Sequence, residues 1–127
     1  SGYTPAAKLL YVTGGTGDPG ESPRAAQKTA DILLQETGLA YDDLDAIEFN
    51  EAFAVIDVLF ARSQPQVLDR YNRFGGALAY GHPYGASGAV LVLHALHSLA
   101  AVHGRYGLAA IAGAGGTGEA LLLEACP

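Results

Sequence analysis

Methionine and tryptophan are absent from these 127 residues, and cysteine occurs once, as Cys126. A lone thiol permits no internal disulfide, so the fold must be held by its core. It also fits a reducing compartment, and a cytoplasmic location is the expectation. The lack of Met suggests that Ser1-Gly2 is a tag remnant or the edge of a cut within a longer polypeptide. Charge is sparse as well: 16% of residues are charged, with seven Lys and Arg against thirteen Asp and Glu, for a formal net charge of -6. Without a basic cluster, a surface of this sign repels a phosphate backbone, which argues against nucleic acid as a partner. Long unbroken hydrophobic runs are missing too. Residues 86–102 are the longest apolar stretch, but Ser87, His94, His97 and Ser98 interrupt it. That pattern predicts a buried helix and not a membrane span. No signal or transit segment is visible.

What is present is a sizeable apolar fraction, 50% of the residues, which excludes a disordered tail. A chain of this length makes one domain with a real core. Residues 8–13 predict a buried strand ending at Gly14-Gly15, followed by a flexible loop over 14–20. Ser22-Pro23 predicts a helix start, with Ala26, Ala30, Leu33 and Leu34 on its buried face and Gly38 as its stop. A short strand is expected over 44–49 and a helix over 51–62, with a possible short strand at 71–73. The longest helix is expected over 86–103, with Ala89, Val92, Leu93, Leu96, Leu99 and Ala100 facing the core. Residues 107–112 and 119–124 predict two closing strands, antiparallel because their connection is too short for a crossover helix. This alternation implies an α/β fold.

Four features could carry chemistry. Asn50, between a strand and a helix, suits an N-cap, and Glu51 suits the positive end of the helix dipole. His82 lies among Gly76, Gly81, Gly85 and Gly88 beside Pro83, a setting that can hold one imidazole close to a thin substrate. A solvent-facing loop histidine is the plainer alternative. His94 and His97 share a helical face but lack a third ligand, so no metal is expected. The run from Gly113 to Gly118 spells G-x-G-x-x-G after a strand, yet only nine residues follow it, too few for a dinucleotide-binding βαβ unit.

Two strings decide the reading: Asn50-Glu51-Ala52-Phe53-Ala54, and Gly75-Gly76-Ala77-Leu78-Ala79-Tyr80-Gly81-His82-Pro83-Tyr84-Gly85-Ala86-Ser87-Gly88. Together they resemble the carboxyl-terminal half of a thiolase, and the resemblance covers nearly the whole chain. It implies a thiolase-like half-domain, α/β with a mixed β-sheet covered by helices. Residues 1–127 would be that carboxyl-terminal domain, with the amino-terminal thiolase domain absent from this chain and acting as its partner. By the same resemblance, Asn50 fixes a water of an oxyanion hole and His82 donates to a thioester oxygen, with a further role in activating the nucleophilic Cys of the other half. Phe53 would line the pantetheine tunnel, and a backbone N–H near Ala114 would serve a second oxyanion hole.

One departure matters most. Where the family carries an acid/base Cys, this chain has Ala112, and a methyl group transfers no proton. A natural variant using another acid/base, a replacement by design, and impaired catalysis all remain open. Cys126 does not match the motif. The implied function is that of a thiolase-type acyl-CoA acyltransferase of lipid metabolism, catalysing thiolytic cleavage or Claisen condensation. Its substrate would be a coenzyme A thioester, no permanently bound cofactor or metal is implied, and a homo-oligomer is expected. The isolated chain is expected to be inactive. The alternative is a non-catalytic thiolase-like subunit that binds acyl-CoA or supports a catalytic partner. A ketoacyl synthase is more distant, because its closing motifs differ.

Overall fold

A computed structural model describes residues 2–127; Ser1, the first residue of the expected tag remnant, lies outside them. Four strands, β1 (Ala7–Thr16), β2 (Ala46–Phe49), β3 (Tyr106–Gly113) and β4 (Thr117–Ala125), form one sheet in the order β1-β4-β3-β2. β2 runs parallel to β3, and the other pairs are antiparallel, so the sheet is mixed. The helices are α1 (Ala25–Thr37), α2 (Ala54–Ser63), the single turn α3 (Ala77–Tyr80) and α4 (Ser87–Val102).

Side-chain alternation along the strands sends residues to opposite faces. Ile47, Phe49, Leu108, Ala110, Ala120 and Leu122 join Ala26, Ala30, Leu33 and Leu34 of α1 in the main core. Phe60 of α2 completes it, stacked on Tyr71 with centroids 4.3 Å apart and tilted against Phe49 at 5.0 Å. Aromatic pairs of this kind add about 0.5–1.5 kcal/mol each beyond their buried area. They fix the carboxyl end of β2, from which the site begins. α4 packs against β2 and β3 on the other face of the sheet.

Several expectations need correction. β1 continues through Thr16, because residues 14–16 pair with Thr117 to Glu119 of β4; the expected loop begins later. α1 starts at Ala25 after a 3₁₀ segment, Pro19–Arg24, capped by Asp18; Ser22 is not its N-cap and instead accepts from the Gly116 amide. α2 starts at Ala54 with Phe53 at the N-cap position, so Asn50 caps nothing. Tyr71 forms an isolated bridge with Ile47 where a short strand was expected. The buried positions of α4 are Ser87, Leu91, Ala95, Ser98 and Leu99, whereas Ala89, Leu93 and Ala100 are exposed. Of the expected face only Leu99 is fully buried. This helix is apolar around most of its circumference, so its pattern does not select the side that meets the sheet.

Candidate active site

Asn50 continues β2 by one residue, and its amide donates to the Ala110 carbonyl at 3.0 Å. Ile47 and Phe49 belong to the α1 core, so alternation turns Glu48 and Asn50 toward the α4 side. There the Asn50 side chain meets His82: Nδ2 lies 3.4 Å from both ring nitrogens. Asn50 is buried and His82 half-buried, so the pair lies at the edge of the interior.

His82 is held by its own motif. Gly81 takes φ 97, a left-handed-side conformation that ends α3 and turns the chain toward the imidazole. Ser87, in the first turn of α4, places its hydroxyl 2.6 Å from His82 Nδ1 and 3.1 Å from the Pro83 carbonyl. The Ser87 hydroxyl has one proton: given to Nδ1, it leaves the neutral ring's proton on Nε2, where it can donate to a substrate oxygen; given to the Pro83 carbonyl, it makes Nδ1–H the donor to Ser87. Tyr84 packs edge-on against the imidazole, with centroids 4.6 Å apart.

Glu48, behind Asn50 on the same face, is wholly buried, and neither carboxylate oxygen has a hydrogen-bond partner. Burial chiefly, and then the Glu51 carboxylate, push its pKa up to about 8, against the opposing pull of Arg73. Near neutral pH Glu48 is therefore mostly protonated, and the site is backed by an uncharged wall. Arg73 spends its donors on the Ser98 hydroxyl and carbonyl and on the Asp45 carbonyl.

The remaining sequence candidates are placed as follows. Phe53 is 63% exposed and so is not a core residue of this chain. Ala112 lies in β3 opposite Gly118 and packs against the main core, two residues beyond the carbonyl that holds Asn50. Ala114 is exposed in the turn between β3 and β4, and its carbonyl accepts from Thr117 Oγ1 at 3.4 Å. Gly116 has φ 82, and a Cβ there would collide with the carbonyls of Gly17 and Asp18. The glycine run thus makes a tight hairpin docked on a neighbouring loop. His103 ends α4 in a left-handed conformation, and His94 leaves Nδ1 buried without a partner beside Tyr80. Among the described residues, no group of three His, Cys, Asp or Glu side chains converges as a metal site. No helix among them is long and apolar enough to cross a membrane.

Sequence reasoning missed Ser87, although it stands in the quoted motif, and Glu48, whose signal was a single acid inside an otherwise apolar strand. It also missed Asn72, which adopts φ 42 and gives no such signal.

Comparison with known proteins identifies the family. The family model for the thiolase C-terminal domain matches residues 3–125. A steroid 3-ketoacyl-CoA thiolase of Mycobacterium tuberculosis is 35% identical over 97% of this chain, which spans 30% of that protein. An acetyl-CoA acetyltransferase of Syntrophomonas wolfei is 38% identical over 98% of the chain and 32% of its own length. The crystal structure of human mitochondrial 3-ketoacyl-CoA thiolase in complex with CoA superposes with a TM-score of 0.91 at 31% identity, covering 98% of this chain and 32% of that one. The chain therefore spans about a third of the length of these relatives. On fold, motifs and sequence alike, it belongs to the thiolase family and matches that family's carboxyl-terminal domain.

Proposed function

We propose that this chain is the oxygen-holding half of a thiolase-type acyltransferase acting on coenzyme A thioesters. The observation that carries the reading is the meeting of Asn50 and His82 at 3.4 Å, contributed by two separate motifs on one side of the sheet. In the proposed reaction a Cys of an amino-terminal half takes the acyl group and releases an enolate. His82 Nε2–H and a water held by Asn50 stabilise the oxygen as negative charge gathers on it. Phe53, which is exposed, would lie along the pantetheine arm, and the turn at Ala114 would offer a second oxyanion donor. The enolate must still gain a proton, which Ala112 cannot supply.

The amino-terminal half is the proposed partner. Leu9 and Val12 of β1 and Leu93 of α4 are exposed large apolar side chains, suited to burial by another layer. CoA would be a substrate and product carrier, with no permanent cofactor. The reading places the protein in cytoplasmic lipid metabolism, in keeping with its single free thiol. Ala112 supports a second reading, a non-catalytic subunit that binds acyl-CoA. The test is to join this chain to an amino-terminal thiolase half bearing the nucleophilic Cys and to assay cleavage of acetoacetyl-CoA by CoA. Turnover supports the enzyme. Saturable acyl-CoA binding without turnover supports the second reading.

A further inference from the structure

β2 is an edge strand whose one strand partner among the described residues is β3, with only the isolated Tyr71 bridge on its other side. Its outer edge therefore presents backbone groups that need partners, and Phe49, immediately before Asn50, is fully buried. The Asn72 side chain supplies both: Oδ1 accepts from the Phe49 amide at 3.0 Å, and Nδ2 donates to the Phe49 carbonyl at 3.1 Å. A side-chain amide carries the same donor and acceptor as a peptide group, so one residue replaces a step of the missing strand. The Asn72 backbone amide also donates to the Ile47 carbonyl at 2.8 Å. Its left-handed φ of 42 is one that Asn tolerates better than most residues.

The second Nδ2 proton continues the connection. It reaches Glu51 Oε1 at 3.0 Å, while Glu51 Oε2 accepts from the Leu78 amide at 3.0 Å. Leu78 lies in α3, the turn that leads through Gly81 to His82. Gly76 leaves room for this carboxylate, since a Cβ there would run into it. By contrast, the 3.4 Å approach of Asn50 to His82, shared between two ring nitrogens, is too long to define a geometry by itself.

We infer that Asn72 and Glu51 form a clamp that positions Asn50 against His82, holding the end of β2 to the turn before the imidazole. Both are positioning residues, and their role rests on the oxyanion-holding function proposed above. Glu51→Gln preserves size but turns an amide group toward either the Asn72 donor or the Leu78 amide, so one bond of the clamp must break.

The test is a double-mutant cycle in the chain joined to its amino-terminal half. Glu51→Gln is expected to lower kcat about tenfold with KM little changed, because positioning of an oxyanion donor acts mainly in the transition state. In a His82→Ala background the same substitution is expected to cost no further turnover. Equal losses in both backgrounds, or no loss in the parent while His82→Ala is strongly impaired, would overturn the clamp. An unimpaired His82→Ala protein would overturn the underlying function and the clamp with it. Should Glu51→Gln unfold the protein, Gly76→Ala displaces the same carboxylate without replacing it and is expected to give the same kcat loss and non-additivity.

Discussion

Asn50 and His82 stand 32 positions apart in the chain, yet the Asn50 side-chain nitrogen is equidistant, at 3.4 Å, from the two nitrogens of the imidazole. A strand end and a glycine-rich turn bring them together. Asn50→Ala therefore acts on the site and not on a helix cap, since α2 begins at Ala54 with Phe53 in the cap position. We expect Asn50→Ala to lower turnover less than His82→Ala does, with none of the roughly 1 kcal/mol that loss of a cap would cost. Turnover and thermal unfolding measured on the same protein check this; a large stability loss with full activity would contradict it.

Ala112→Cys is expected to raise turnover of the joined protein by about a hundredfold or more, the usual range for a positioned acid/base group. Ala112 is half-buried against the main core with Gly118 as its partner across the hairpin, so a longer side chain meets no bulky neighbour on β4. A steady-state assay reads the gain. No gain would mean that another group already supplies the proton.

Glu48 makes stability depend on pH. Its folded pKa of about 8 lies above the ordinary value of 4.5, raised first by burial and then by Glu51. The folded chain then holds a proton that the unfolded chain releases, so stability is highest below about pH 4.5 on this account and falls as pH rises toward 8. The fall is on the order of a few kcal/mol. Asp31 and Asp57, also raised chiefly by burial, contribute with the same sign. Denaturant unfolding from pH 5 to 9 should therefore show a slope that Glu48→Gln flattens. An unchanged slope would show that Glu48 is not the group responsible.

The chain alone is expected to self-associate through its exposed apolar side chains, among them Leu9, Val12 and Leu93, which are 60%, 54% and 55% exposed. Leu93→Lys should weaken the association. Sedimentation over a concentration series measures both, and a compact monomer throughout would contradict the expectation.

The fold was legible where polar residues flank apolar ones. The α1 face of Ala26, Ala30, Leu33 and Leu34 stands out against Gln27, Lys28, Asp31, Gln35 and Glu36, and those four are buried as expected. In α4 no such contrast exists, and the sheet took the side of Leu91 and Ala95, whereas Leu93 stayed exposed. The extension of β1 to Thr16 depends on pairing with residues a hundred positions later, which local patterns do not encode. Likewise the strings around Asn50 and His82 mark the site, while the bonds of Asn72 and Glu51 that join them are long-range and appear only in three dimensions.

The central claim is that the His82 imidazole stabilises the charge that develops on a thioester oxygen. The direct measurement is acetoacetyl-CoA turnover by the joined protein with and without His82→Ala, alongside thermal unfolding. Loss of one preorganised donor is expected to lower turnover by about a hundredfold or more, on the order of 3 kcal/mol at the transition state, with the fold intact. Unchanged turnover in a well-folded His82→Ala protein would contradict it.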